Sequence, residues 1–184
     1  LSAIKQLEAW AIVRDILPRD ITKGVKTGRP QGGHIPWMDD QVPLGERCAR
    51  ADLARAITLI ANTGQRGSDA VRIGPTDIEV YNGITGINVT QKKTGRQVWL
   101  PITSPLATAM QTWERRPGPY LLKPEGSPWS RKALTDAWTY EREGNDGLML
   151  LREVGPKKKP LVLHGLRGTA CVRLRQAGAS IPQI

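Results

Sequence analysis

Near its start the chain places Ile4, Leu7, Trp10, Ala11 and Leu17 at helical spacing, and Pro18 closes the run, so the pattern predicts a helix over residues 4–17. Residues 18–36 hold prolines, glycines and basic side chains with little periodicity and read as a linker. A second helix is predicted from Glu46 to Asn62, where Ala49, Leu53, Ile57 and Ile60 share a face and Gly64 supplies the stop. The period then shortens to alternation. Ile78 and Val80, then Ile84, Ile87 and Val89, then Val98, Leu100 and Ile102 mark three short strands, joined by turns at Asn82-Gly83 and Thr94-Gly95. Helical spacing returns after Ser104-Pro105, an N-cap and first-turn pair, with Leu106, Ala109, Met110 and Trp113 on one face. It recurs over residues 130–142 through Ala133, Leu134, Ala137 and Trp138, while residues 143–160, rich in Gly, Pro and Lys, are predicted to be a loop. A last full helix is predicted over 166–176, with Leu166, Ala170 and Leu174 inward and Gly178 ending it; Ser180-Ile181-Pro182 then signals another start. The fold class is mainly α with a small three-stranded antiparallel β-sheet, an α+β arrangement. A helix without a beginning at one end, and one barely begun at the other, suggest an excised piece.

Composition narrows the function. The 184 residues suffice for one domain with a substantial core and a fragment of another, and 39% hydrophobic residues argue against wholesale disorder. There is no apolar run long enough to cross a bilayer and no signal-peptide pattern. Cys48 and Cys171 are isolated, and with only His34 and His164 no metal-ligand cluster is evident, so no metal or cofactor is expected and an intracellular setting is the simple reading. The net charge of +10 favours a polyanionic partner, nucleic acid first and an anionic membrane surface second. The basic residues fall in separate clusters (Arg19 to Arg29, Lys92 to Arg96, Lys157 to Lys159, Arg167 to Arg175) rather than along one amphipathic face, which favours nucleic acid. Trp37, Trp99, Trp113, Trp129 and Trp138 stand in for the absent phenylalanines and read as core anchors ahead of base-stacking platforms.

Three segments carry candidate chemistry: Thr63-Gly64-Gln65-Arg66-Gly67-Ser68-Asp69 where the second helix ends, Gln91-Lys92-Lys93-Thr94-Gly95-Arg96 at a hairpin tip, and His164-Gly165-Leu166-Arg167 opening the last helix. Each alone is a weak signal, since such residues are more often caps or solvated side chains. Their order and setting together resemble the catalytic domain of the tyrosine recombinases, the lambda-type integrase family, from about Trp37 to the last residue. That family has a TGxR turn, a hairpin Lys and an HxxR helix start in this order, matched here by Arg66, Lys93, His164 and Arg167. Where the family often has Glu three residues after its first Arg, this chain has Asp69; where it commonly has Asp after the motif His, this chain has Gly165, which bears on a supporting contact.

The chemistry suits these residue types. Cleaving a phosphodiester needs stabilisation of charge on two non-bridging oxygens, and two planar, permanently charged guanidinium groups from Arg66 and Arg167 can clamp that group. Losing one such donor typically costs on the order of 3 kcal/mol, about a hundredfold in rate. Asp69, by spacing alone, is the candidate to hold Arg66. The resemblance implies that Lys93 protonates the leaving 5′ oxygen, with Lys92 as its rival; the family's Lys directly before Thr-Gly favours Lys93. It implies that His164 assists proton transfer or hydrogen-bonds the phosphate, and that no metal is needed. The family's nucleophile, a Tyr that forms a 3′-phosphotyrosine link, follows HxxR, as does a second His or Trp; Tyr81, Tyr120 and Tyr140 all precede it, so no nucleophile is assigned in this chain. The chain as given is expected to bind DNA weakly and to cleave nothing.

The resemblance also implies an organisation: residues 1–24 as the remnant of the last helix of a core-binding domain, 25–36 as the interdomain linker, and 37–184 as a catalytic domain incomplete at its C-terminus. Lys23, Lys26 and Arg29, with Lys92 and Arg96, are then candidate DNA contacts, although a merely solubilising linker is about as plausible. Double-stranded DNA is the expected partner, with a tetramer on two duplexes for the whole protein, accessory DNA-bending proteins, no membrane, and a cytoplasmic, nucleoid-associated setting in a bacterium or phage. The alternatives are a type IB topoisomerase, which uses a similar residue set, and a non-catalytic DNA-binding relic or regulator.

Overall fold

A computed structural model describes residues 2–18, 33–114 and 116–180, and the chain divides into two compact units, residues 1–33 and 34–184. In the first unit α1 spans Ser2–Val13, shorter than its apolar pattern. Asp15 takes a positive φ of 55°, and Ile16 and Leu17 both donate back to the Ala11 carbonyl, so the chain turns instead of continuing the helix. Ala11 is buried, Leu7 and Trp10 are exposed, and the Arg14 guanidinium lies 4.5 Å from the centroid of the Trp10 ring. Lys23, Lys26 and Arg29 lie outside the described residues.

In the second unit, the single helix expected over 46–62 is two: α2 at Gln41–Cys48 and α3 at Ala51–Thr63. Ala49 and Arg50 adopt extended backbone between them, and α2 reaches back past Pro43, which a helix tolerates in its first turn. Helix α3 is the centre of the unit. Leu53, Ala56, Ile57, Leu59, Ile60 and Ala61 are all buried along it, and α2, α5, α6 and α7 pack against it. Gly64 ends it in the left-handed conformation at φ 62°, donating to the Ile60 carbonyl. A four-residue helix, α4, follows at Gly67–Ala70.

The sheet is a meander of β1 (Ile78–Tyr81), β2 (Ile84–Thr90) and β3 (Gln97–Pro101), antiparallel throughout, with Ile78 opposite Ile87 and Val89 opposite Val98. Asn82 and Gly83 both take positive φ, as the two-residue hairpin turn requires. Helix α5 covers Ser104–Met110, capped by the Thr103 side chain rather than by Ser104. Helix α6 covers Arg131–Gly144 with Ser130 as its cap.

Residues 143–160 are not all loop. A 3-10 helix at Asp146–Leu151 buries Leu148 and Leu151, so the Leu-Met-Leu-Leu run is a core contributor among polar neighbours. Helix α7, Gly165–Gln176, buries Leu166, Thr169 and Ala170, but Leu174, expected inward, is 47% exposed because the helix leaves the core beyond Ala170. Four of the five tryptophans read as anchors do anchor the core: Trp37, Trp113, Trp129 and Trp138 are buried, with Trp37 and Trp138 packed at a tilt 5.2 Å apart, while Trp99 on β3 is only partly buried. Among the described residues no helix is long and apolar enough to cross a membrane.

Candidate active site

The end of α3 and the start of α7 meet. A Cβ on Gly64 would lie 3.2 Å from that of Ala170, and the Arg167 guanidinium reaches across to donate to the Gly64 carbonyl at 2.5 Å. Two residues on, Arg66 sits in extended backbone as the N-cap of α4, half-buried, with Nη1 donating to the Gln91 side-chain oxygen at 3.4 Å. One donor of each guanidinium is therefore committed to a protein acceptor that sets its direction, and among the described residues the remaining N–H groups have no acceptor. The two arginines are close enough to act on one another. The Arg167 pKa is lowered, first by burial and then by the charge of Arg66.

His164 caps α7 and joins them. Its pKa is lowered below the usual imidazole value by partial burial first, then by the charges of His34, Arg167, Arg66 and Arg131. A cleft of about 360 Å³ opens beside it, bordered by His34, Arg66, Ser68, Arg131 and His164 and backed by the apolar Ile60, Leu134 and Leu163. No carboxylate lines it among the described residues. Larger clefts of about 500 Å³ beside Arg72 and about 760 Å³ between the sheet and α5 contain none of Arg66, His164 and Arg167. No tyrosine borders the His164 cleft either: Tyr120 is buried against Trp113, Tyr81 lies tilted against Trp99, and Tyr140 is exposed.

The β2–β3 hairpin tip is tied to the Arg66 turn. Gln91 accepts from Arg66 and from the Thr94 hydroxyl (2.9 Å), and its amide donates to Gln65 at 3.3 Å. Lys92 donates its backbone N–H to Asp69 at 2.9 Å. Lys92, Lys93 and Arg96 are exposed on that tip, and among the described residues the Lys93 ammonium has no protein partner. Gly95 closes the tip at φ 66°.

Asp69 departs from its expected contact. Wholly buried, its Oδ1 accepts from Arg72 at 3.1 Å and from Lys92 N–H, and it makes no hydrogen bond to Arg66. The support it provides runs to the hairpin, while Gln91 is the residue that holds Arg66. Gly165 has a steric reason: a Cβ there would stand 2.2 Å from the Ile35 carbonyl oxygen, so no side chain fits between α7 and residues 35–37. Gly168 abuts Pro36, and the Thr169 hydroxyl accepts from Trp37 N–H and donates to Trp37 O. This fastens the segment carrying His34, whose ring meets His164 edge-on at 4.7 Å. Motif reading missed His34 and Arg131, since nothing in their local sequence marks them, and it missed the role of Gln91, which opens the hairpin-tip segment but whose contact with Arg66 spans 25 residues. Among the described residues no group of three His, Cys, Asp or Glu side chains is placed to hold a metal ion.

Comparison with known proteins bears on this geometry. The sequence profile of the phage integrase family matches residues 43–184. Among solved structures, a lambda integrase dimer bound to a COC′ core site superposes with a TM-score of 0.73 at 15% identity, covering 97% of this chain and 63% of that one. The Tn1549 transposon integrase in complex with circular intermediate DNA gives 0.70 at 16% identity, covering 98% and 66%. The lambda integrase catalytic core gives 0.59 at 16% identity, covering 80% and 85%. No curated protein sequence matches the chain. It spans about two thirds or less of the first two of these structures, and at such identities the likeness establishes the fold, a helical domain with a three-stranded antiparallel sheet. With the profile running through the Arg66 turn, the hairpin and the start of α7, the chain belongs to the phage integrase family.

Proposed function

We propose that this chain carries the phosphodiester-cleaving centre of a tyrosine-type site-specific DNA recombinase. The observation that carries the reading is the meeting of Arg66, His164 and Arg167 from two distant segments: Arg66 and His164 line one cleft with no carboxylate among its described lining, and Arg167, bonded to the Gly64 carbonyl, lies near enough for charge to act between it and both of them. Arg66 and Arg167 clamp the non-bridging oxygens of the scissile phosphate. In the absence of an anion their charges oppose each other, and a phosphorane relieves that repulsion most at the point of highest charge. His164, biased to the neutral form, is suited to accept or pass the nucleophile's proton or to hydrogen-bond the phosphate. Lys93, on a tip held by Gln91 and by Asp69 through Lys92, protonates the leaving 5′ oxygen. The nucleophile is a tyrosine outside residues 1–184, forming a 3′-phosphotyrosine intermediate without a metal.

Residues 1–24, 25–36 and 37–184 divide, in this proposal, into a core-binding remnant, a linker along the DNA and the catalytic domain. Lys23, Lys26, Arg29, Lys92 and Arg96 contact phosphates. The partner is double-stranded DNA. Lambda integrase has been seen as a tetramer bound to a Holliday junction, which supports a tetrameric assembly on two duplexes for the whole protein, with accessory DNA-bending proteins in a cytoplasmic, nucleoid-associated setting.

The test is covalent capture on nicked suicide substrates by a version of the protein extended through a downstream tyrosine. Denaturation-resistant protein–DNA adducts are expected, with a defined target site, and they disappear in Arg66→Ala and Arg167→Ala while site binding is largely retained. Adducts at near-normal rate in either variant refute the clamp. Relaxation of supercoiled DNA irrespective of site points to the topoisomerase reading instead, and absence of any adduct to a binding module.

A further inference from the structure

Two basic residues border the cleft without a part in the clamp: His34 and Arg131. Arg131 opens α6, and its stem crosses the turn that follows Arg66, with its Cγ 3.5 Å from where a Gly67 Cβ would stand. Several arginines of this unit are ion-paired, Arg50 with Asp52, Arg72 with Asp69, Arg142 with Glu143, Arg152 with Asp146 and Arg173 with Asp39, whereas among the described residues the exposed Arg47, Arg96 and Arg175 are not, and none of those three borders the cleft. Among the described residues the Arg131 guanidinium has no such acceptor, although the adjacent Lys132 pairs with Asp136. An unpaired guanidinium facing a cleft that holds only positive charge is placed for an anion that arrives from outside.

His34 reaches the same cleft from the other side. Its position is set by its neighbours rather than by its own exposed ring: Trp37 is bonded both ways to Thr169, and Ile35 and Pro36 lie against the two glycines of the first turn of α7. The ring meets His164 edge-to-face at 4.7 Å, and among the described residues its nitrogens have no hydrogen-bond partner. The charge of each of these two residues also acts on His164, beside those of Arg66 and Arg167. The apolar back wall of Ile60, Leu134 and Leu163 suits sugar carbons, and the cleft has more room than a lone phosphate fills.

We propose that His34 and Arg131 are phosphate ligands: with Arg66 and His164 they seat a DNA backbone phosphate and its sugar in this cleft. The inference rests on the phosphate-clamp reading of Arg66 and His164 and adds two binding residues from elements that carry no motif. Both side chains are exposed, so their removal leaves the core intact, which an unchanged unfolding midpoint verifies.

The experiment follows the imidazole resonance of His164 in the 184-residue chain during titration with inorganic phosphate, and then with a short duplex of arbitrary sequence. In the unsubstituted chain phosphate shifts the resonance saturably, and the duplex displaces it. Arg131→Ala is expected to raise the phosphate midpoint on the order of tenfold and His34→Ala about threefold. Arg50→Gln, the same loss of charge at the far end of α3, about 20 Å along that helix, is expected to change it by less than about twofold. Wild-type midpoints in Arg131→Ala and His34→Ala, with the response lost in Arg66→Ala, overturn these two ligands and leave the clamp standing; a normal midpoint in one variant overturns that residue. A normal response in Arg66→Ala brings down the underlying reading as well. Equal losses in Arg50→Gln and Arg131→Ala overturn the proposal by reducing it to net charge, and a duplex that does not displace phosphate overturns the assignment to DNA.

Discussion

The two sides of the candidate site are built differently. On one side, Arg66, His164 and Arg167 stand at the junction of α3 and α7, whose buried faces fix their backbones, and both guanidinium groups are aimed by protein acceptors. On the other, Lys93 rides an exposed hairpin tip joined to that junction by the side chain of Gln91 and by the buried carboxylate of Asp69. In the proposed function the first is a preformed anion site, and the second is a carrier whose ammonium is directed only once something else meets it. A centre of this kind recognises charge before it is complete, and completes itself with the substrate.

The sharpest way to break the comparison is to remove the preformed half. In a tyrosine-containing version, Arg66→Ala or Arg167→Ala is expected to lower the rate of adduct formation by about a hundredfold to a thousandfold, measured by single-turnover cleavage of a nicked substrate. Lys93→Ala is expected to cost about a hundredfold or somewhat less, as general-acid loss does. The halves separate on a substrate whose leaving group is a bridging 5′ sulfur, which needs no proton. That substrate restores the rate of Lys93→Ala and leaves Arg66→Ala slow. If Lys92→Ala rather than Lys93→Ala shows this rescue, the acid is one residue earlier in the hairpin.

What was legible in the sequence divides along the same line. Arg66, His164 and Arg167 follow turn and helix-start patterns, and the three strands and most helices follow period and turn chemistry. The rest depends on contacts that span the chain. His34 reaches the site only because Trp37 bonds to Thr169, 132 residues away, and Arg131 only because α6 lies over the turn after Arg66. The break at Ala49-Arg50 was hidden because its apolar spacing continues across it, and the outward Leu174 because a periodic face does not say where its partner ends. Asp69 shows the same limit: spacing puts it near Arg66, but packing turns its carboxylate towards Arg72 and Lys92.

That carboxylate offers the next prediction. Asp69→Ala leaves the Lys92 N–H without its buried acceptor and frees Arg72, so the chain is expected to lose about 1–3 kcal/mol of stability in chemical denaturation. Because the lost bonds belong to the hairpin side, amide exchange is expected to quicken at Lys92 to Gly95 while the α3–α7 junction keeps its protection. Equal loosening of both regions would mean that Asp69 supports the clamp as a whole and that the two halves are not separately built.

The smallest expected effect is on pH, and its sign tests the preformed half alone. The pKa of His164 is lowered from 6.5 by burial and by the charges of His34, Arg167, Arg66 and Arg131. The unfolded chain therefore takes up this proton before the folded chain does as pH falls. His164 leaves stability unaffected above the unfolded value, and it subtracts from stability progressively as pH drops through about 6.5 towards the lower folded value. Anion binding works the other way: a phosphodiester in the cleft attracts the imidazolium, raises the proton affinity of the ring and binds more tightly as pH falls. Between about pH 7.5 and about pH 6, where DNA phosphates keep a constant charge, the affinity of the chain for a short duplex is expected to rise a few-fold at fixed salt. His164→Gln, which keeps a hydrogen-bonding group but does not titrate, is expected to flatten most of that rise. A rise that survives His164→Gln places the titrating group elsewhere, and an affinity that falls over this range reverses the electrostatics assigned to the junction of α3 and α7.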